Sequence, residues 1–193
     1  MEEHLLKTKA QNGRKIHIFH GLGGIGKTQL AIAYARKHQH TYSAIVWVNG
    51  YSRDTVLQSL AAFGRYASDS GVSDLTASTT QQAPDMKAEA GAVLRWLALE
   101  KNCRWLMIFD NVDRDVQSDK DIQAYDVLSF VPPADHGSVL ITTRLPSLGE
   151  IGTSTEITRL KLSQALELLS NRSGLHPSSS GTISILSEHE GTS

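Results

Sequence analysis

The sequence predicts an α/β fold: a parallel β-sheet covered by helices on both faces. Three observations carry this. Short apolar, β-branched runs alternate with segments of helical period along most of the chain. Two of the runs, Trp105-Leu-Met-Ile-Phe109 and Val139-Leu-Ile141, are apolar without a break, as strands buried on both faces require. A glycine cluster, Gly21 to Gly26, joins the first such run to the first helical segment.

Each element follows from its residues. Residues 1–14 are polar apart from Leu5 and Leu6, and are expected to be a remnant of a helix. Lys15 to His20 reads as a buried strand through Ile16, Ile18 and Phe19. Thr28 to His38 reads as a helix with a wide apolar face. Ala44 to Val48 is β-branched and aromatic, hence a strand. Arg53 to Tyr66 returns to the helical period. Residues 67–84 hold no Lys or Arg and few large apolar residues, and predict a flexible surface excursion. Asp85 to Glu100 carries Met86, Ala90, Val93, Leu94 and Leu97 at helical spacing. Arg104 to Asp110 and Ser138 to Thr142 are strands, and Glu156 to Leu160 is a candidate last one. Leu162 to Ser170 reads as a helix, more simply a core face than a docking surface. The expected organisation is a remnant helix over 1–14, one domain over 15–172 and a disordered Ser-rich tail over 173–193.

Composition bounds the function. A length of 193 residues with 40% hydrophobic and 20% charged residues suits one folded domain and excludes wholesale disorder. Nineteen basic against twenty acidic residues give a net charge of -1, which argues against a globally basic nucleic-acid or membrane-surface binder. No apolar run approaches the roughly 18 residues that span a bilayer, and Met1-Glu2-Glu3-His4 does not read as a basic-then-apolar leader. Cys103 is the single cysteine, so an intrachain disulfide or cysteine-based zinc site is excluded. The expectation is a cytoplasmic protein without nucleic-acid or membrane partners.

The central motif is Gly21-Leu-Gly23-Gly24-Ile25-Gly26-Lys27-Thr28, which matches G-x-x-x-x-G-K-[ST] without a mismatch. Glycines let backbone N–H groups turn inward around a phosphate. The helix that follows points its positive end at the same anion. Lys27 would reach the β- and γ-phosphates, and Thr28 would offer its hydroxyl to Mg²⁺. A second motif is Trp105-Leu-Met-Ile-Phe109-Asp110, a buried strand that delivers a carboxylate at its C-terminal end. Asp110 is placed to hold Mg²⁺ directly or through water. A third is Gly137-Ser-Val-Leu-Ile-Thr142-Thr143-Arg144, where Arg144 would reach the γ-phosphate.

Together these blocks resemble the NB-ARC domain of STAND-class P-loop ATPases, the nucleotide-binding core of NOD-like and plant-resistance-type receptors, with a fungal flavour. Gly21 to Thr28, followed by Gln29-Leu-Ala, resembles the family's phosphate loop. Ala44-Ile-Val-Trp47-Val48 resembles its second-strand block, Leu106 to Asp113 its Walker B element, and Gly137 to Arg144 its sensor strand. The resemblance covers roughly residues 15–170. It implies a three-layer P-loop NTPase sandwich of the ASCE type. Five parallel strands would place the sensor strand between the phosphate-loop and Walker B strands. It implies ADP or ATP with Mg as cofactors, bound by Gly21, Gly23, Gly24, Ile25, Gly26, Lys27, Thr28, Gln29 and Arg144, with Thr28 and Asp110 on the metal. It also implies signal transduction, innate immunity by analogy, and homo-oligomers formed through flanking domains.

Two departures shape the expectation. The family's upstream adenine-contacting stretch, its GLPL motif and its MHD histidine are not visible, so a truncated core with weakened nucleotide binding is expected. Asn111 stands where related ATPases carry the acid that polarises the attacking water, and an amide cannot take the proton. Asp113 is the nearest substitute base and Asp115 a more distant one, so binding with slow or no hydrolysis is expected. Two other classes stay open: a P-loop phosphotransferase or NTPase, and an interaction protein with a relic site. No N-K-x-D motif specifies guanine. His17 and His20, three apart on a strand, face opposite ways and make poor joint metal ligands. His38 and His40 sit near a helix end, where positive charge is favoured. Trp47, Trp96 and Trp105 read as core. No pattern pairs Cys103 with a histidine as a nucleophile.

Overall fold

The computed structural model describes residues 13–72, 85–114 and 124–159. The elements below lie in one compact unit that ends at Thr158; of a second unit, Arg159–Ser193, only Arg159 is among the described residues. In chain order the elements are β1 (Lys15–His20), α1 (Lys27–Lys37), β2 (Ala44–Asn49), α2 (Arg53–Asp69), α3 (Met86–Leu97), β3 (Trp105–Asp110), β4 (Ser138–Thr143) and β5 (Thr153–Glu156). Short 3₁₀ turns at Glu100–Asn102, Val127–Phe130 and Pro146–Ile151 join them.

The five strands form one sheet in the order β2-β3-β4-β1-β5, every pair parallel. β4 therefore lies between the phosphate-loop strand β1 and the carboxylate-bearing strand β3, the order the resemblance implied. Side chains alternate across it. Trp105, Met107, Phe109, Val139 and Ile141 join Val46, Val56, Leu60, Val93 and Leu97 in a core under α2 and α3. Leu106, Ile108 and Leu140 join Phe19, Ala31 and Tyr34 in a second core under α1. Burying both faces of β3 and β4 explains their unbroken apolar sequences, and each large side chain so buried contributes about 1.5–3 kcal/mol.

Local chemistry sets the helix ends. α2 opens on a capping box: Ser52 Oγ accepts from Thr55 N at 3.3 Å while Ser52 N donates to Thr55 Oγ1 at 2.9 Å. It runs three residues past Tyr66, into what the sequence predicted as excursion. Ala67 is buried, and Val72 N donates to Ala67 O and Gly71 N to Ser68 O. That pair of bonds is a Schellman ending on Gly71, at φ 90°. The rest of the expected excursion, 73–84, lies outside the described residues. α3 is capped by Asp85, which accepts from Lys87 N at 2.9 Å. It stops at Leu97, short of Glu100, because side chains take its last carbonyls. Trp105 Nε1 donates to Leu97 O at 2.8 Å and Asn102 Nδ2 to Trp96 O at 2.7 Å.

Three further expectations need correction or placement. The last strand is Thr153–Glu156, not Glu156–Leu160. It is exposed and polar at every position, because an edge strand needs only the β1 ladder, not an apolar face. Trp47 is not core: it is 37% exposed, on edge strand β2, outside both clusters. Trp96 and Trp105 do pack into the core. Residues 1–12 of the remnant helix expected over 1–14, and the expected segments 162–170 and 173–193, fall outside the described residues.

Candidate nucleotide-binding site

The site lies at the C-terminal ends of β1, β3 and β4, where a parallel sheet gathers loops and helix N-termini. β1 ends at His20, and the phosphate loop leads straight into α1. The helix begins on Gly26 at φ 104° with no side-chain cap, so its first N–H groups face the loop. Gly24, at φ 73°, also takes a left-handed conformation, and added Cβ atoms on Gly24 and Gly26 would meet nothing within 4 Å. The loop is thus open at Gly24 and Gly26, where backbone alone faces the cleft.

Lys27 starts the helix and is 9% exposed. Its Nζ donates to Gly21 O at 2.8 Å and Leu22 O at 2.9 Å. Burial lowers its pKa; Asp113 opposes that shift, Arg144 adds to it and Asp110 opposes it again. Lys27 therefore feels the charges of both other motifs, although they lie far away in sequence.

Asp110 ends β3 immediately behind the loop. Its Oδ1 accepts from Thr28 Oγ1 at 2.8 Å and from Thr142 Oγ1 at 2.6 Å. Thr142 Oγ1 in turn accepts from Asn111 N at 2.9 Å. Asn111 itself is at φ 67°, a left-handed conformation that asparagine adopts more readily than most residues. Asp113 Oδ1 accepts from Arg144 N at 2.6 Å, and Asp113 Oδ2 pairs with Arg144 Nε at 2.9 Å.

A cleft of about 280 Å³ is lined by Gly23, Gly24, Gly26, Lys27, Thr28, Gln29, Asn111, Asp113, Thr142 and Arg144. Ile25 is half-buried in the loop, and Gly21 contributes its carbonyl to Lys27. Asp110 stands one layer back, bonded to two of the lining hydroxyls. The residues from the three motifs thus meet in one place, with Asp115 outside the described residues. Sequence reasoning missed two things. It did not see that Thr142 holds Asp110, nor that Asp113 holds Arg144. The hydroxyls of Thr142 and Thr143 were visible at the end of their strand, but their partners follow only from β4 lying against β3.

The donor set suits a magnesium nucleotide: a hydroxyl and a carboxylate for a hard cation, a backbone cradle and two cations for phosphates. Among the described residues no group of three or more His, Cys, Asp or Glu gathers as a metal cluster. His17, at 1% exposure, is spent on Thr155 Oγ1 at 3.0 Å and on the edge of Phe19. His38 stacks on Tyr34.

Comparison with known proteins bears on this geometry. A sequence model of the NB-ARC domain matches residues 1–178. The chain belongs to the NB-ARC family. This NB-ARC domain is similar to a nucleotide-binding leucine-rich repeat (NLR)-like protein of Hyaloscypha variabilis, 27% identical over 133 residues. That alignment takes in 64% of this chain and 12% of the relative, so the NB-ARC chain spans a small part of that protein's length. Among solved structures it is similar to Cdc6p of Pyrobaculum aerophilum, with a TM-score of 0.55 and 12% identity over 86% of this chain and 45% of that one. At that identity the likeness shows the fold alone. Family and fold together make the chain a nucleotide-binding module of the P-loop NTPase type. Among the described residues no helix is long and apolar enough to cross a membrane.

Proposed function

We propose that this NB-ARC domain is the ADP/ATP-reading module of a STAND-type signalling switch, with slow or no hydrolysis. The observation that carries the reading is convergence. Lys27 and Thr28 of the phosphate loop and Arg144 after β4 meet at one cleft, with Asp110 at the end of β3 directly behind. Backbone N–H groups of the loop and Lys27 would hold the phosphates. Thr28 and Asp110 would hold Mg²⁺, which supplies charge neutralisation on the phosphate oxygens. Arg144 would reach the γ-phosphate and so distinguish ATP from ADP.

Slow turnover follows from the base position. Asn111 cannot accept a proton usefully. Asp113 is the nearest substitute, but its carboxylate is already engaged by Arg144: Oδ1 accepts from the backbone N and Oδ2 is ion-paired with Nε. Similarity to an NLR-like protein supports a place in cytoplasmic signalling, with innate immunity as its analogue and homo-oligomers assembled through flanking modules.

The test is thermal unfolding with and without Mg-ADP and Mg-ATP, beside Lys27→Ala. A ligand bound only by the folded state adds about 2.7 kcal/mol at a hundredfold excess over Kd. A rise in midpoint that Lys27→Ala abolishes supports the reading. No rise in a cooperatively unfolding sample overturns it.

A further inference from the structure

We propose that Asp113 is a positioning residue for Arg144, and through it sets how strongly the site prefers a nucleoside triphosphate over a diphosphate. This rests on the nucleotide site described above.

Four observations carry it. First, both oxygens of Asp113 go to a single residue: Oδ1 to the backbone N of Arg144 and Oδ2 to its Nε. The carboxylate thus fixes both the start of the side chain and its far end. Second, the ion pair is side-on. It runs through Nε, whereas the two terminal guanidinium nitrogens are the groups that grip a phosphate in forked fashion. Third, the Arg144 side chain is 62% exposed whereas Asp113 is 20% exposed, so the anchor is the better-held partner. Fourth, the held guanidinium stands over the phosphate loop. A Cβ added to Gly23 would lie 3.1 Å from Arg144 Cζ and 3.4 Å from Nη1.

Without the clamp, an exposed arginine on a flexible stem would have to be ordered by the nucleotide itself. Immobilising such a side chain lowers affinity. Asp113 orders it beforehand, and only a ligand with a γ-phosphate gains from that. ADP lacks that phosphate and would gain nothing. The opposing effect is direct repulsion, since the Asp113 charge also reaches Lys27 in the phosphate site. Repulsion would make Asp113 oppose triphosphate, which gives the test its sign.

The experiment measures dissociation constants for Mg-ADP and for the Mg complex of a non-hydrolysable ATP analogue. It compares the unsubstituted chain with Asp113→Ala, Asp113→Asn, Arg144→Ala and Asp113→Ala/Arg144→Ala. Asp113→Asn keeps an acceptor for the backbone N of Arg144 and removes only the ion pair, which guards against a folding defect. The expected result is a fall in triphosphate preference of about three- to tenfold in Asp113→Ala, a smaller fall in Asp113→Asn, and ADP affinity nearly constant. In the Arg144→Ala background, removing Asp113 should change the preference no further. An unchanged preference, or a raised one, overturns the clamp while leaving the nucleotide site standing. Failure of the unsubstituted chain to bind either nucleotide overturns the site and the clamp together.

Discussion

The hydroxyl of Thr142 donates to Oδ1 of Asp110 at 2.6 Å, the same oxygen that Thr28 reaches from the phosphate loop at 2.8 Å. One carboxylate oxygen thus ties together the ends of β3 and β4 and the start of α1. Thr142 is 1% exposed, so no solvent replaces its hydroxyl. Thr142→Val keeps the shape and removes the bond. It is expected to cost about 1–3 kcal/mol in urea unfolding and to weaken Mg²⁺-dependent nucleotide binding roughly tenfold. Unaltered Mg²⁺ dependence would show that Asp110 needs no orienting partner.

Lys27 gives a pH signature. Burial lowers its pKa below the ordinary 10.5, so the unfolded chain holds this proton more tightly than the folded one. Between the lowered value and 10.5 the unfolded state binds more protons, and stability rises with pH through that window. Below it the full cost of the charged, buried amine is present. Lys27→Met removes that cost. In chemical denaturation without nucleotide, the unsubstituted chain should gain on Lys27→Met as pH climbs toward 10.5. A gap constant with pH would contradict the shift.

Gly137 is a stability hinge at the entry to β4. It lies at φ 82°, and a Cβ there would run into the indole of Trp105, itself fully buried and bonded to Leu97 O. Strain and overpacking act together. Gly137→Ala should destabilise the domain by about 3 kcal/mol or more. A loss under 1 kcal/mol would mean the β3–β4 edge of the core is looser than it looks.

Asn111 offers a gain of function. It occupies a left-handed conformation that aspartate also tolerates, and it borders the cleft. Asn111→Asp introduces a carboxylate where the asparagine amide cannot accept a proton. Turnover of Mg-ATP, followed as phosphate release, is expected to rise at least about tenfold. A null result with ATP binding intact would place the missing acid elsewhere.

Local chemistry made much of this legible. The phosphate loop announced itself because glycine, lysine and threonine at fixed spacing have one well-defined joint use. β3 and β4 announced themselves because strands buried on both faces carry unbroken apolar runs, Trp105 to Phe109 and Val139 to Ile141. Trp47 misled because an aromatic in a β-branched run looks the same at a sheet's edge as at its centre. β5 misled because Thr153 to Glu156 carries no apolar signal, its strand character coming entirely from the β1 ladder. The helix end at Gly71 was legible in principle, since the glycine is visible, but the buried Ala67 that continues α2 is not.

What the sequence determined by itself is the set of parts: a phosphate loop on a strand–helix junction, a carboxylate and an arginine at strand ends, and the absence of an acid at position 111. These are properties of neighbours along the chain, written in residue type and period. What only the tertiary structure decided is which parts touch. Inserting β4 between β1 and β3 brings Thr142 to Asp110 and Arg144 to Asp113, pairs separated by about thirty residues. Strand order is settled by competition among long-range pairings and by how helices cover the two faces, and no local pattern encodes it.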